Sequence, residues 1–330
     1  MLLLNLSLSA SILIILIVII RTVALYKLPK VIFIGFWSVV LARLYLPFYI
    51  EVSLPKNLFF NYIGAEKIVS HAGVKNALYI VWLVGVVAVL GVFLVTHFLA
   101  RKEYCCSLPI ENEALAKEIN LYLGRQKFTV RQTDRIDTPL TYGTFKPVIL
   151  LPSATDWSDD EKLRYIILHE LTHIRRFDIL VKWLLVIAVS VYWFNPLIWV
   201  MYVLFNRDME LYCDEGVIEQ LAFHEKAPYA KTLVNMEKFK LGAPSVISSF
   251  RGSSLNERVT AIMKNKPKTI GTLFIFLTII ASLVLIGFAA NNNAKVLSTV
   301  NDDFPIYVSA TEPETAEEGR DYEVYYELVK

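Results

Sequence analysis

A five-residue stretch, His169-Glu170-Leu171-Thr172-His173, has the residue types and spacing for metal chemistry. On a helix its two histidines stand one turn apart on one face, so both imidazoles can reach a single ion, and Glu170 lies about 100° round beside them. Such a motif can arise by chance on an amphipathic helix, but the chain has only five histidines and two of them fall in this spacing. Zinc takes a third protein ligand and keeps an open position for water. The run Arg207-Asp208-Met209-Glu210-Leu211-Tyr212-Cys213-Asp214 supplies candidates. Glu210 is the expected third ligand, for one zinc per chain. Asp214, one helical turn on, is expected to hold the other ring nitrogen of a ligating histidine.

That donor set implies peptide-bond hydrolysis. Zinc between two neutral imidazoles and a carboxylate acidifies its water and polarises a carbonyl. Glu170 is then the expected base that takes the proton and delivers it to the leaving amine. A further donor should stabilise the oxyanion. Arg207 and Tyr212 are the candidates beside the third ligand, with Tyr142 and His224 elsewhere, and spacing does not choose among them. Arg175 and Arg176 read as structural or membrane-face charges, and Asp178 as a brace at the helix end.

The elements that must position these residues are mostly apolar. Hydrophobic residues make up 55% of the 330 and mean hydropathy is +0.48, which points to several membrane spans. The fold class expected is a mainly α-helical polytopic membrane protein with an embedded α+β zinc protease domain on the cytoplasmic side. Net charge is +2, with no basic run interleaved with aromatics, so direct nucleic-acid binding is not expected. The three cysteines make no disulfide framework and read as reduced thiols.

Three spans are expected within residues 1–100. Residues 2–20 read as an uncleaved helix, since no basic leader or cleavage motif accompanies them. Arg21, Lys27 and Lys30 place the next loop in the cytoplasm and the N-terminus outside. The second span, 31–50, carries Arg43, which must snorkel, pair or line a polar cavity. An outside loop over 51–76 leads to a third span at 77–100. The protease domain is expected over 101–225, with a short helix at 111–124, strands at 129–131 and 147–152, and a turn at 138–143 between them. Ser158-Asp159-Asp160-Glu161 reads as a capping box starting the metal helix, and the strand before it as an edge for an extended substrate.

Residues 179–205 pose a topological constraint. A single crossing would put Glu210 across the membrane from His169 and His173. Asn195-Pro196 breaks the apolar run, so a re-entrant or interfacial hairpin, 179–194 and 196–217, is expected. A connector at 226–268, a last span at 269–290 and an acidic outside tail at 291–330, with room for a small strand pair, complete the chain.

HELTHIRRFD, WFNPLIW and RDMELYCDEGVI, in that order behind three spans and ahead of one, resemble the BlaR/MecR family of membrane zinc metallopeptidases. The resemblance covers about residues 1–290 and implies a gluzincin-type core facing the cytoplasm, with His169, His173 and Glu210 at the zinc-ligand positions and Glu170 at the base. It implies an outside signal that activates the protease, which then cuts itself in the connector and relieves repression by a winged-helix repressor. Ser248-Ser249-Phe250-Arg251-Gly252 is the candidate self-processing stretch. Beta-lactam sensors end in a large penicillin-binding domain, whereas residues 291–330 are short, so a different input is expected. The partners implied are a protein substrate, membrane lipid and, as an open option, a second copy of the chain. A quality-control protease of the HtpX kind and a non-catalytic zinc receptor scaffold are the alternative readings.

Overall fold

The computed structural model describes residues 2–47, 50–51, 72–110, 128–155, 159–238, 245–264, 278–284 and 289–290. The helix expected at 111–124 and the strand pair expected in the tail lie outside them, as do most of the last span and of the 51–76 loop. The described chain is mainly helical, with eight long helices and a small sheet. Helices α1 (Leu2–Ala24), α2 (Lys30–Tyr45) and α3 (Ala72–Cys105) precede the sheet, and α4 (Asp160–Arg175), α5 (Asp178–Val191), α6 (Pro196–Ile218), α7 (Lys226–Lys238) and α8 (Ser245–Lys264) follow it. Among the described residues, two helices are long and apolar enough to cross a membrane, Leu3–Ala24 in α1 and Asn76–Tyr104 in α3. α2, which falls in the span expected over 31–50, is 16 residues long, about 24 Å at 1.5 Å per residue.

Helices α1, α2, α5 and α6 share one apolar core built on Leu13, Ile17, Phe33, Phe36, Trp37, Leu185 and Phe205. α3 lies against α5 with its apolar side chains outward. Polar groups inside this core are paired, as they must be where no water competes. Arg43 is buried and donates from Nε to Ser9 Oγ at 2.9 Å, so it pairs rather than snorkels. Asn195 explains the break between α5 and α6: its Oδ1 caps Leu197 N at 2.9 Å, and its Nδ2 donates to Ser7 Oγ and Ser11 Oγ at 2.8 Å each. Pro196 then opens α6 at a position where its missing N–H costs nothing.

The sheet comprises β2 (Leu108–Pro109), β3 (Thr129–Thr133), β4 (Leu140–Tyr142) and β5 (Val148–Pro152) in the order β2-β3-β5-β4; β1 (Ile50–Glu51) and β6 (Ala289–Ala290) pair separately. β5 runs parallel to β3, and β4 antiparallel to β5 with Leu140 opposite Leu150. Two sequence expectations change here. The segment read as a turn at 138–143 contains strand β4, and β4 rather than β5 is the edge, since β5 is paired on both sides. Gly143, at φ 85°, turns the chain from β4 towards β5. Ile149 and Leu151 pack under Leu163, Ile166, Ile167 and Leu171 of α4, fixing the sheet to the metal helix. The cap of α4 is Asp159, whose side chain accepts from Lys162 N; Ser158 of the expected box lies outside the described residues.

Where α3 meets the α5–α6 corner, Trp82 Nε1 donates to Val191 O and Trp193 Nε1 to Trp82 O. A Cβ at Gly85 would run into the Trp193 indole. Gly85→Ala is therefore expected to overpack this joint by about 1–3 kcal/mol, read as a lower melting temperature of the detergent-solubilised protein.

Candidate metal centre

α4 and α6 cross so that the two histidines and the carboxylate meet. His169 Nε2 and His173 Nε2 are 3.2 Å apart, Glu210 Oε2 lies 3.5 Å from the first and Glu210 Oε1 3.7 Å from the second. Donors around a tetrahedral zinc, at bonds of about 2.0–2.1 Å, are spaced by about 3.4 Å. The three side chains fit that set.

Hydrogen bonds to the far ring nitrogens reinforce the fit. Tyr229 donates its one proton to Asp214 Oδ1 at 2.7 Å, so its oxygen can only accept from His169 Nδ1, 3.0 Å away. His173 Nδ1 donates to Asp178 Oδ2 at 2.5 Å. Both Nε2 lone pairs are thereby left facing one another and a carboxylate. Acceptors aimed at acceptors in a buried place call for a cation between them. The electrostatics of the cluster carry the same demand. Burial opposes a charged imidazole, yet Cys213 and the carboxylates outweigh it and push His169 and His173 well above the usual histidine range. Burial likewise works to raise Glu210, but the histidines and Arg258 drive it well below the carboxylate range. Asp214, where burial is again outweighed, this time by Arg258, is held down at about 2.

Cys213 offers a rival third ligand, since its sulfur and the two histidines can present donors within 4.8 Å of one another. Its Sγ, however, lies 3.5 Å from His169 Nδ1 and donates to His169 O, on the side already taken by Tyr229. The Nε2 atoms converge on Glu210, which we prefer for that reason.

Glu170 stands beside the set, held by Thr141 Oγ1 donating to its Oε2 at 2.7 Å. Edge strand β4 thus touches Glu170 directly. Leu140 and Thr141 line a cavity of about 370 Å³ that also takes in His169, Glu170, His173 and Glu210, together with Lys182 of α5 and Arg258 of α8.

The site departs from the sequence reading at several side chains. Asp214 reaches His169 mainly through Tyr229, its own Oδ1 being 3.4 Å from Nδ1. Asp178, read as a helix brace, is the partner of His173. Arg207 and Tyr212 do not line the cavity, nor do Tyr142 and His224. Tyr212 is about 200° round α6 from Glu210 and stacks under Arg176, whose guanidinium carbon is 3.4 Å from its ring centre. Tyr142 packs on Tyr104 instead. A cation that does face the site is Arg258, with Nη1 3.4 Å from Glu210 Oε2, Nη2 3.5 Å from His169 Nε2, and two bonds to Asp214 at 2.7 and 2.8 Å. Arg258 and Tyr229 arrive from helices whose sequences carry no metal motif, so spacing gave no signal for them.

Residues 64–262 match the family model of the BlaR1 peptidase M56. The chain belongs to that family. It is similar to the regulatory protein BlaR1 of Bacillus licheniformis, 27% identical over 188 residues that make up 55% of this chain and 31% of the relative. It is similar also to the methicillin resistance mecR1 protein of Staphylococcus aureus, 26% identical over 167 residues, 49% of this chain and 28% of the relative. The match therefore spans less than a third of the length of these relatives. The matched stretch of this M56 chain contains α4 through α7 and the part of α8 that carries Arg258.

Partners of a ligating histidine fix its tautomer and its aim. Asp178→Ala is expected to leave the M56 chain folded and to weaken zinc binding by about 10–100-fold, measured by competition with a chromophoric chelator.

Proposed function

We propose that this M56 chain is a membrane-embedded zinc endopeptidase with a regulatory role, its substrates being itself and a cytoplasmic repressor-like or membrane-associated protein. The observation that carries the reading is the convergence of His169, His173 and Glu210 on one point with Glu170 alongside, fastened to an edge strand. Those three residues would hold zinc, which when bound supplies an acidified water and a polarised carbonyl. An extended segment of substrate pairs with the open side of β4, which brings its backbone across the cavity. Glu170, oriented by Thr141, takes a proton on the oxygen that Thr141 leaves free and passes it to the departing amine. Arg258 keeps Asp214 and Glu210 charged and in place. It also presents N–H groups towards the reacting carbonyl in the role first considered for Arg207 and Tyr212.

A purely structural zinc would need neither a base nor a substrate cleft, which counts against a receptor scaffold. We place the site at the cytoplasmic membrane face, on an α5–α6 hairpin that enters the apolar layer and returns. The exposed Leu180, Leu184 and Ile187 of α5 support this, as do the basic residues flanking the hairpin. The N-terminus and the tail then lie outside, and the polytopic arrangement of four apolar segments follows from the same charge bias. The mecR1 relative is named for methicillin resistance, and a winged-helix repressor is the partner proposed by that analogy.

Glu170→Gln is the decisive variant. In membranes it is expected to retain one zinc per chain while hydrolysis of self and of a candidate repressor falls by about 10²–10⁴-fold. Zinc retained with cleavage undiminished would remove Glu170 from the mechanism. Zinc bound but no native cleavage of either target would favour the scaffold.

A further inference from the structure

The polar group least expected in the apolar bundle is Arg21, at the end of α1, only 6% exposed. Its Nε donates to Asp208 Oδ1 at 2.8 Å and its Nη2 to Glu257 Oε2 at 2.9 Å. Asp208 is held a second time, by Trp37 Nε1 of α2 at 2.7 Å. Asp208 precedes Glu210 by two residues on α6, and Glu257 precedes Arg258 by one on α8. Each carboxylate that Arg21 grips is thus next to a residue of the metal centre, but turned to the opposite or adjoining face of its helix. On α6, Asp208 and Glu215 face the membrane helices, Glu215 accepting from Lys30 N at 3.0 Å, while Glu210 and Asp214 face the site. On α8, Glu257 and Lys264, two turns apart on one face, meet the α1–α2 corner, the ammonium of Lys264 standing 5.2 Å from the Tyr26 ring centre. Arg258, on the adjoining face, meets Asp214 and Glu210.

The contacts close a ring: Arg21 to Glu257, Glu257 along α8 to Arg258, Arg258 to Asp214 and Glu210, these along α6 to Asp208, and Asp208 back to Arg21. Stability alone does not require charges here, since apolar residues of similar volume commonly serve a buried interior as well or better than an ion triad. What a two-pronged guanidinium supplies that an apolar contact does not is a fixed distance between two carboxylates on two different helices.

We propose that Arg21 is a positioning residue for the metal centre, through which the first membrane helix sets the connector helix α8, and with it Arg258, against the ligand helix α6. A displacement of α1 in the bilayer must move Asp208, Glu257 or both, and so alters the spacing between Arg258 and Glu210. The inference rests on the proteolytic reading of the site, and gives that reading a route by which a membrane event reaches it.

The test uses the full-length chain in lipid nanodiscs, loaded with Zn2+ for cleavage of fluorescein-labelled casein and with Co2+ for the visible absorption of the bound metal. The variants are Glu257→Gln, which removes one grip, Arg21→Lys, which holds one carboxylate but does not span both, and the uncharged triple Arg21→Met, Asp208→Asn, Glu257→Gln, which roughly keeps volume and removes the three charges of the triad. Expected for all three are one metal per chain, an altered cobalt spectrum, and a kcat lowered by at least about fivefold with KM unchanged. Native cobalt spectra and native kcat in folded variants would overturn the proposal and leave the triad as structural cement. Failure of the native chain to cleave casein or itself would overturn the proteolytic reading instead, and the cobalt spectra alone would then decide the coupling. If the native chain binds no cobalt, both fall.

Discussion

Two imidazole lone pairs 3.2 Å apart repel unless something positive lies between them. That local electrostatic demand organises the whole centre. Each ring is locked into the tautomer that turns its bare nitrogen inward, His169 by Tyr229 and His173 by Asp178. The third donor has to return from more than thirty residues along the chain, and the α5–α6 corner, capped by Asn195 and broken at Pro196, is what brings it back. A corner of a different kind serves His173. Phe177 adopts φ 55°, a left-handed conformation unfavourable for so large a residue, and the reversal it makes between α4 and α5 puts Asp178 within 2.5 Å of the ring.

The parts of the site that could be read in the sequence are those set by helical period. His169, Glu170 and His173 share a helix, and Glu210 and Asp214 share another, so spacing placed each group on a face. Which side chains complete the site depends on how helices pack, and there the reading failed. Arg207 and Tyr212 were attractive because they sit near Glu210 in sequence, but the phase of α6 carries Tyr212 away to Arg176. Arg258 and Tyr229 were invisible for the converse reason, being distant in sequence and adjacent only after α7 and α8 dock. Asp178 was noticed and undervalued, because its role depends on a backbone reversal at a phenylalanine that no propensity predicts. β4 was taken for a turn because a proline and a glycine bracket it; its three residues become a strand only by pairing with β5.

Hydropathy marked the apolar segments without distinguishing helices that cross from helices that are merely buried. α2 shows why one pattern serves both: it is nearly all apolar, and its residues form the inner wall of the bundle. The charges inside that bundle carry a desolvation cost that apolar side chains would avoid. They are concentrated where α1 and α2 meet α6 and α8.

The shortness of β4 bears on what such a centre can attack. An edge of three residues offers few backbone hydrogen bonds, and only an extended segment pairs with it. A target must therefore surrender a stretch of its own ordered structure before it can lie along the strand, and the free energy of that local opening is added to the barrier. Discrimination between targets then resides largely in the targets themselves. On the proposed proteolytic reading, a firmly folded protein is a poor target and a loop or a loosened helix a good one.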